Sequence, residues 1–222
     1  MSSPEEVLQG LYDETLVGNA PRVLELTEEG LELGMEPQTL LFDALIPSLE
    51  EVGARFERGD FFVPEMLVAG KAMSGALDIL RPLLAETGAQ TVGTFLMSTV
   101  KGDVHDIGKN LVNIMLEGAG FHVIDLGVQV SPEKVIAGIQ EHKPDIVGFS
   151  AFLTTTMPMF KANINALQKA GLRDQVIVMV GGAPVTQEYA DAVGADGYAA
   201  DASTAVRKAK ELLAARRAAV GV

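Results

Sequence analysis

The sequence predicts an N-terminal bundle of four helices followed by an α/β domain with a parallel five-stranded sheet. Two observations lead to this fold class. Up to about Glu86, apolar residues recur at helical spacing between clear start and stop signals. From Thr91 onward, short apolar runs alternate with helical stretches, which is typical of a parallel sheet covered by helices.

The first part of the chain contains signals for the ends of each helix. Ser3 and Glu6 form a capping box around Pro4, so a helix begins there. Pro47 lies inside the third helix and is expected to kink it. The predicted helices span about 3–17, 20–33, 37–56 and 64–86. Because the links between them are short, antiparallel packing into a bundle is expected.

The second part of the chain alternates strands and helices. Strands are expected at 92–98, 122–126, 146–150, 176–180 and 197–199, and helices at 107–117, 132–142, 157–170, 186–193 and 202–214. The purely helical pattern gives way to the alternating pattern at residues 86–90. We therefore expect two domains, 1–88 and 89–222, the second with a flavodoxin-like or Rossmann-like parallel sheet.

Composition excludes several classes of function. The chain has no cysteine, which removes disulfides, thiolate metal sites and cysteine nucleophiles. A net charge of -13 argues against nucleic acid as a partner, because binding phosphates requires a basic face. No apolar run is long enough to span a membrane, and the N-terminus is acidic rather than basic, so a cytoplasmic location is predicted.

The segment after the first strand places a histidine between carboxylates and then opens a helix. A metal-binding histidine usually donates its second ring N–H to a carboxylate, and Asp103 lies two residues before His105. Asp106 follows directly, and Gly108 leaves room for a ligand. The pattern favours His105 as a metal ligand, although so short a motif also arises by chance.

Two later strands also end in unusual segments. Four hydroxyl side chains within residues 150–156 can hydrogen-bond a polar ligand, or can serve as a helix cap or turn. Gly181 and Gly182 leave the backbone open to a bulky group, or form a tight turn. Ligands of open parallel sheets bind beyond the carboxyl ends of the strands, so three such segments together favour a binding site.

In this order, the motifs Asp-x-His-x-x-Gly, Ser-x-Leu and Gly-Gly resemble the cobalamin-binding domain of methionine synthase and of corrinoid proteins in methyltransferase systems. The matching residues are Asp103, His105, Gly108, Ser150, Gly181 and Gly182. One position departs from the pattern, since Phe152 stands in place of the leucine, and we expect this to alter packing only. The first part of the chain resembles the helical cap domain of the same family.

The resemblance implies a cobalamin cofactor in the base-off, histidine-on mode, with His105 replacing the cofactor's own lower base on cobalt. The nucleotide tail would pass Gly108 and Gly182 and be lined by Ser150 and Thr154. The other binding residues implied for this domain are Asp106, Leu153 and Gly181.

The resemblance also implies a ligand triad of Asp103, His105 and Thr156. The triad would take up or release a proton as the cofactor changes between methylcobalamin and the Co(I) corrinoid. This is chemically reasonable, because a neighbouring carboxylate sets the basicity of a ligating imidazole.

In the helical domain, residues 56–66 resemble the family segment that covers the upper face of the corrin. Phe56, Val63 and Met66 would shield the methyl group, since water must be kept away from Co(I). Met66 also lies on the regular apolar stripe of its helix, so a position in the bundle core is an equal alternative for this residue.

The function implied is that of a methyl carrier, a subunit of a multi-component system and not an enzyme by itself. Its partners would be a substrate:corrinoid methyltransferase, a methylcorrinoid:acceptor methyltransferase that uses a folate or a thiol, and a reductive activating protein. Methanol, methylamines, betaines and aryl methyl ethers all serve as donors in such systems, and nothing in the sequence selects among them.

The alternative function is a cobalamin-dependent sensor or regulator. Such proteins share both domains and normally add a basic DNA-binding module, for which a helical bundle that begins near Met1 leaves no place. A metal phosphohydrolase built on His105 and Asp106 requires further histidines, and only three are present. An adenosylcobalamin mutase requires a substrate barrel.

Four further residues are interpreted as structural or solvated. His122 begins a strand, and His142 ends a helix, where a cationic side chain complements the helix dipole. Lys101 and Lys109 flank the histidine loop and are expected to be solvated.

Overall fold

A computed structural model describes residues 2–87 and 91–220. The chain divides into two compact units, one comprising Met1–Thr91 with Glu117–Gly120, the other comprising Val92–Leu116 with Phe121–Val222. The predicted boundary between residues 88 and 89 lies outside the described residues, so the exact boundary stays a prediction.

The helical unit begins with the predicted capping box. The Ser3 hydroxyl accepts a hydrogen bond from the Glu6 N–H, and the Glu6 carboxylate accepts one from the Ser3 N–H, at 3.2 Å and 2.7 Å. The helices are α1 (Pro4–Leu16), α2 (Ala20–Glu32), α3 (Pro37–Leu40), α4 (Ile46–Arg58) and α5 (Val63–Thr87).

The region around Pro47 differs in detail from the expected helix with a kink. A π-helical turn, Leu41–Leu45, joins α3 to α4, and Pro47 lies in the first turn of α4. Proline lacks an N–H and its ring crowds the carbonyl four residues earlier in a regular α-helix. The wider π turn, in which the Ile46 N–H bonds to the Leu41 carbonyl, provides a local adjustment directly before the proline.

The helices pack as a bundle, as predicted. Helix α1 contacts α2 and α4, and α5 contacts the same two helices. The predicted stripe of α5 faces inward, with Met66, Met73 and Leu80 completely buried. Its apolar spacing therefore reflects a core that all the longer helices share.

The second unit contains a parallel five-stranded sheet in the order β2-β1-β3-β4-β5. The strands are β1 (Thr94–Thr99), β2 (His122–Asp125), β3 (Ile146–Ser150), β4 (Ile177–Gly181) and β5 (Gly197–Ala199). The helices are α6 (Ile107–Gly118), α7 (Pro132–His142), α8 (Pro158–Lys169), α9 (Gln187–Val193) and α10 (Ala202–Val220). The predicted fold class is confirmed.

The strand order reverses between β1 and β3. The chain passes from β1 to β2 on one side and then crosses to β3 on the other side of β1. In open parallel sheets this switch point creates a crevice at the carboxyl edge, because the loops on either side turn away from each other. The segments that follow β1 and β3 flank this crevice.

Several element boundaries differ from the predictions. Strands β1 and β4 begin and end one or two residues later than expected, because pairing with β3 sets the register and Ile146 pairs with both Phe95 and Ile177. Helix α10 continues to Val220 rather than Ala214, since its alanine-rich and arginine-rich end contains no stop signal.

Gly182 lies where the ends of β3 and β4 approach each other closely. Its φ is +129°, and a Cβ atom there would lie 1.9 Å from the Ala151 carbonyl oxygen. The Ala151 N–H donates to the Gly181 carbonyl oxygen at 3.2 Å. Glycine at 182 is therefore required by the chain's own backbone, whatever ligand binds nearby.

We expect Gly182→Ala to lower the free energy of unfolding by on the order of 3 kcal/mol or more, since the backbone must move to relieve the overlap. Gly108→Ala is the matched control, because a Cβ at Gly108 meets no atom within 4 Å. Urea denaturation followed by circular dichroism measures both variants. Equal stability of the Gly182→Ala and wild-type proteins would contradict this interpretation of Gly182.

Candidate functional site

Two loops meet at the switch point of the sheet. The loop between β1 and α6 carries Asp103 and His105, and the loop after β3 carries Phe152 and Thr156. Asp103 is completely buried, whereas the His105 side chain is 47% exposed. The sequence-predicted triad of Asp103, His105 and Thr156 is therefore brought together, with only the imidazole open to solvent.

Each oxygen of the Asp103 carboxylate holds one of the loops. Its Oδ1 accepts hydrogen bonds from the backbone N–H and the Nδ1 of His105, at 3.0 Å and 2.9 Å. Its Oδ2 accepts from the N–H of Phe152 at 2.8 Å, from the N–H of Leu153 at 3.2 Å and from the Thr156 hydroxyl at 2.7 Å. One carboxylate thus fixes two loops that come from different strands.

The Asp103 carboxyl is held in its ionised form. Burial by itself raises its pKa, but hydrogen bonds from the His105 backbone, the Thr156 hydroxyl and the Phe152 backbone outweigh burial and keep the pKa well below its usual range. At neutral pH the ionised Asp103 carboxylate is therefore available to accept hydrogen bonds from the surrounding N–H and hydroxyl groups.

The carboxylate also determines the tautomer of His105. An ionised carboxylate only accepts hydrogen bonds, so the imidazole carries its hydrogen on Nδ1 when it bonds to Asp103. In the neutral ring this leaves a lone pair on Nε2, the nitrogen on the opposite side. A metal ligand requires such a lone pair.

Two contacts that sequence reasoning missed brace the histidine loop further. The Thr99 hydroxyl donates to the His105 carbonyl oxygen at 3.1 Å. The Gln129 N–H, from the loop after β2, donates to the Asp103 carbonyl oxygen at 3.0 Å. Gln129 has a φ of +53°, a conformation that non-glycine residues seldom adopt. Its position in the segment after β2 is the signal in the sequence that could have suggested this contact.

The Thr156 hydroxyl lies between two acceptors. Its oxygen is 2.7 Å from Asp103 Oδ2 and 2.8 Å from the Leu153 carbonyl oxygen. Since a hydroxyl has one hydrogen, it donates to one of them at a time. The hydroxyl can therefore turn from the carboxylate to the carbonyl without leaving its place.

The expectation that Lys109 is solvated was wrong. Lys109 is 3% exposed, and its ammonium group forms an ion pair with Asp125 and donates to Asn110 Oδ1 at 2.9 Å. Asp125 ends β2 and also accepts from Asn113 and from the Gly127 N–H. The pair fastens the first turn of α6, just after the histidine loop, to the neighbouring strand. Lys101, by contrast, is exposed as expected.

The surface around His105 is unusually apolar for a solvent-exposed edge. Five large apolar side chains, on the loops of this edge and at the start of α6, are between 37% and 64% exposed: Val104, Ile107, Val128, Phe152 and Leu153. Beside them, Gly108 leaves open space within 4 Å of where a Cβ would lie. An exposed apolar surface with a polar group at its centre is typical of a ligand-binding face.

The remaining predicted binding residues of this unit lie at the same edge. Ser150 and Gly181 end their strands, and Asp106 precedes α6. Thr154 is exposed on the loop after β3. Contact of these residues, and of Gly182, with a nucleotide tail stays a prediction.

The other two histidines lie away from this edge. His122 and His142 are at the opposite, amino edge of the sheet, since His122 begins β2 and His142 ends α7.

The predicted shielding residues belong to the helical unit. Phe56 lies in α4 and Val63 begins α5, and both are partly exposed. Met66 has no exposed surface, so the bundle core accounts for its apolar character. The segment between these helices is ordered by local bonds, since Glu65 accepts from the Phe62 N–H at 3.0 Å. Shielding of a methyl group stays a prediction for all three residues.

His105 is suited to bind a metal whose other ligands belong to a cofactor. Among the residues that the structure describes, no group of three or more histidine, aspartate or glutamate side chains is placed to hold a metal ion. A lone imidazole with a fixed Nδ1 can still serve as one axial ligand of a metal held in a macrocycle. The residues present therefore fit a corrinoid.

Comparison with protein families matches both units. The model of a family described as B12 binding domain covers residues 93–207, and a second family model with the same description covers residues 7–81.

Individual relatives match over nearly the whole chain. A dimethylamine corrinoid protein from Methanosarcina barkeri is 44% identical over 213 residues, which cover 96% of this chain and 100% of that protein. A trimethylamine corrinoid protein from Methanosarcina acetivorans is 38% identical and has the same coverage of both chains. A chain in the methanol:cobalamin methyltransferase complex of Methanosarcina barkeri superimposes with a TM-score of 0.83 at 30% identity, covering 95% of this chain and 80% of that one.

We expect Lys109→Met to lower the free energy of unfolding by about 1–3 kcal/mol, because it leaves Asp125 without its buried cation. Lys101→Met is the control and should cause no measurable change, since Lys101 is exposed. Guanidinium denaturation measures both. If the two variants were equally stable, the Lys109 and Asp125 pair would not anchor α6.

Proposed function

Because this chain belongs to the family of B12-binding corrinoid proteins, we propose that it carries a methyl group on a corrinoid between methyltransferases, with His105 as the cobalt ligand. The observation that carries the proposal is the orientation of His105 by the fully buried Asp103 at the switch point of the sheet. The base-off, histidine-on mode is part of the proposal.

The corrinoid, when bound, supplies a cobalt centre that accepts and gives up a methyl group. The protein would contribute a ring nitrogen of His105 to hold the cobalt and an exposed apolar face to cover the corrinoid. Val104, which precedes His105 on the loop, and Ile107, the first residue of α6, are both more than half exposed. Burying such side chains under a ligand stabilises the complex by about 25 cal/mol per Å² of apolar surface.

The Asp103, His105 and Thr156 cluster is proposed to adjust to changes at the metal by moving a proton. With Asp103 ionised, the Thr156 hydroxyl donates to Oδ2. If Asp103 takes up a proton, that proton can be donated to the Thr156 oxygen while the hydroxyl hydrogen turns to the Leu153 carbonyl. No donor or acceptor is then left unpaired in either state.

We propose a methylated amine as the methyl donor. The support is that relatives matching 96% of this chain carry the names dimethylamine and trimethylamine corrinoid proteins. A substrate:corrinoid methyltransferase would deliver the methyl group, a second methyltransferase would pass it to a folate or thiol acceptor, and a reductive activating protein would restore the cofactor. In this role the chain is a carrier subunit and not an enzyme by itself.

The proposed partners are proteins, without nucleic acid or a membrane. Among the described residues, no helix combines the length and the apolar character that crossing a bilayer requires. A cytoplasmic location stays a prediction.

The carrier role predicts transfer that depends on a partner. The full chain is loaded with hydroxocobalamin, reduced, and mixed with isotopically labelled dimethylamine, trimethylamine or methanol, each with or without the methyltransferase specific for it. Labelled methyl groups should appear on the protein after gel filtration only with a methylamine and its methyltransferase. The His105→Ala variant should accept far less label.

Two outcomes would contradict the proposal. Labelling from a free amine without any methyltransferase would make the chain an enzyme and not a carrier. Labelling with methanol and its methyltransferase alone would overturn the assignment of the donor class.

A further inference from the structure

The ring of Phe152 lies against the imidazole of His105. The two ring centroids are 4.4 Å apart, and the planes are inclined by 32°. This is the distance at which aromatic rings stack in an offset arrangement. The contact is notable because Phe152 occupies the place where the motif that the sequence resembles has leucine.

The position of Phe152 is set by the same carboxylate that orients His105. The Phe152 N–H donates to Asp103 Oδ2 at 2.8 Å, while His105 Nδ1 bonds to Oδ1 at 2.9 Å. Asp103 has no exposed surface and cannot shift without breaking bonds to both loops. The two rings are therefore held against each other, in a tilted arrangement, by hydrogen bonds to the same carboxylate.

The two contacts restrict different motions of the imidazole. The hydrogen bond from Nδ1 to Asp103 holds one edge of the ring at the carboxylate, but coupled changes of the His105 side-chain torsions still allow some rotation of the ring. A phenyl ring against one face opposes this rotation. Together they fix the direction in which Nε2 points, so less rotational freedom remains to be lost when a ligand binds.

Packing of the protein core does not explain the phenyl group. Phe152 is 52% exposed, and exposing an aromatic side chain of this size to water is unfavourable for the free protein. The adjacent Leu153 is 40% exposed and donates its N–H to the same carboxylate at 3.2 Å. Leu153 therefore offers a matched neighbour that shares the loop and the anchor.

We propose that Phe152 is a positioning residue that orients the imidazole of His105 for axial ligation through aromatic stacking. The proposal rests on the proposed function in that it takes His105 as the ligand. An aliphatic side chain at this position can fill space, but it does not provide a flat face for the imidazole. This proposal differs from the expectation that the departure at Phe152 alters packing only.

The first test uses the full chain without cofactor. Nuclear magnetic resonance of isotope-labelled histidine gives the ring-proton shifts of His105, identified by their loss in His105→Ala. Stacking against a phenyl face moves these shifts upfield. Phe152→Leu should remove the displacement, Phe152→Tyr should keep it, and Leu153→Ala should leave it unchanged. Unaltered shifts in Phe152→Leu would overturn the proposal.

The second test measures binding of hydroxocobalamin by equilibrium dialysis. Phe152→Leu should raise Kd roughly 2- to 10-fold, the range that corresponds to one aromatic pair. Phe152→Tyr should restore wild-type affinity, since it keeps the ring. If Phe152→Tyr bound as weakly as Phe152→Leu, the stacking role would be rejected.

The two tests separate this proposal from the proposed function. Because Phe152 is half exposed, the variants should fold normally, and thermal melting monitors this. The resonance shifts report the stacking whether or not His105 binds cobalt. Loss of affinity in Phe152→Leu with no loss in His105→Ala would reject His105 as ligand, and with it the positioning role of Phe152.

Discussion

The carboxylate of Asp103 is closed off from solvent and accepts hydrogen bonds from two loops that follow different strands. An ionised group in such a place is tolerated only when its hydrogen bonds are complete, so both loops must adopt their positions together. The orientation of the imidazole, the tautomer that leaves Nε2 with a lone pair, and the position of Phe152 all follow from this one requirement. The orientation of the His105 imidazole is therefore a property of the fold itself.

The sheet makes this arrangement possible. Because β1 and β3 are neighbours at the point where the strand order reverses, the loops after them leave the same edge and can share one carboxylate. Two further contacts set the surroundings. Gly182 allows the ends of β3 and β4 to approach closely, and Lys109 fastens the start of α6 to the end of β2. Gly182, which the motif predicts to contact a ligand, is thus also required for the close approach of two backbone segments.

The fold and the centre of the site could be predicted from the sequence because both depend on local patterns. Apolar runs located the strands that the structure describes, and the spacing of Asp103 and His105 predicted a pair that the structure joins by a hydrogen bond. The other contacts of the site could not be predicted, because they depend on how the strands and loops are aligned in the folded sheet. A lysine in the first turn of a helix is usually solvated, and only the folded sheet brings Asp125 to Lys109. Likewise, the sequence contains a phenylalanine in place of leucine at 152, but its ring contacts the imidazole only in the folded protein.

The central claim is that a nitrogen of His105, and not the base of the cofactor, binds cobalt. Electron paramagnetic resonance of the Co(II) state of the cobalamin-loaded chain tests it directly, with histidine in natural form or labelled with the heavy isotope of nitrogen. The account predicts that the nitrogen splitting changes from a triplet to a doublet when the histidine is labelled, and that His105→Ala abolishes this change. A triplet that persists in the labelled protein would show that the cofactor's own base remains on the metal, and would contradict the account.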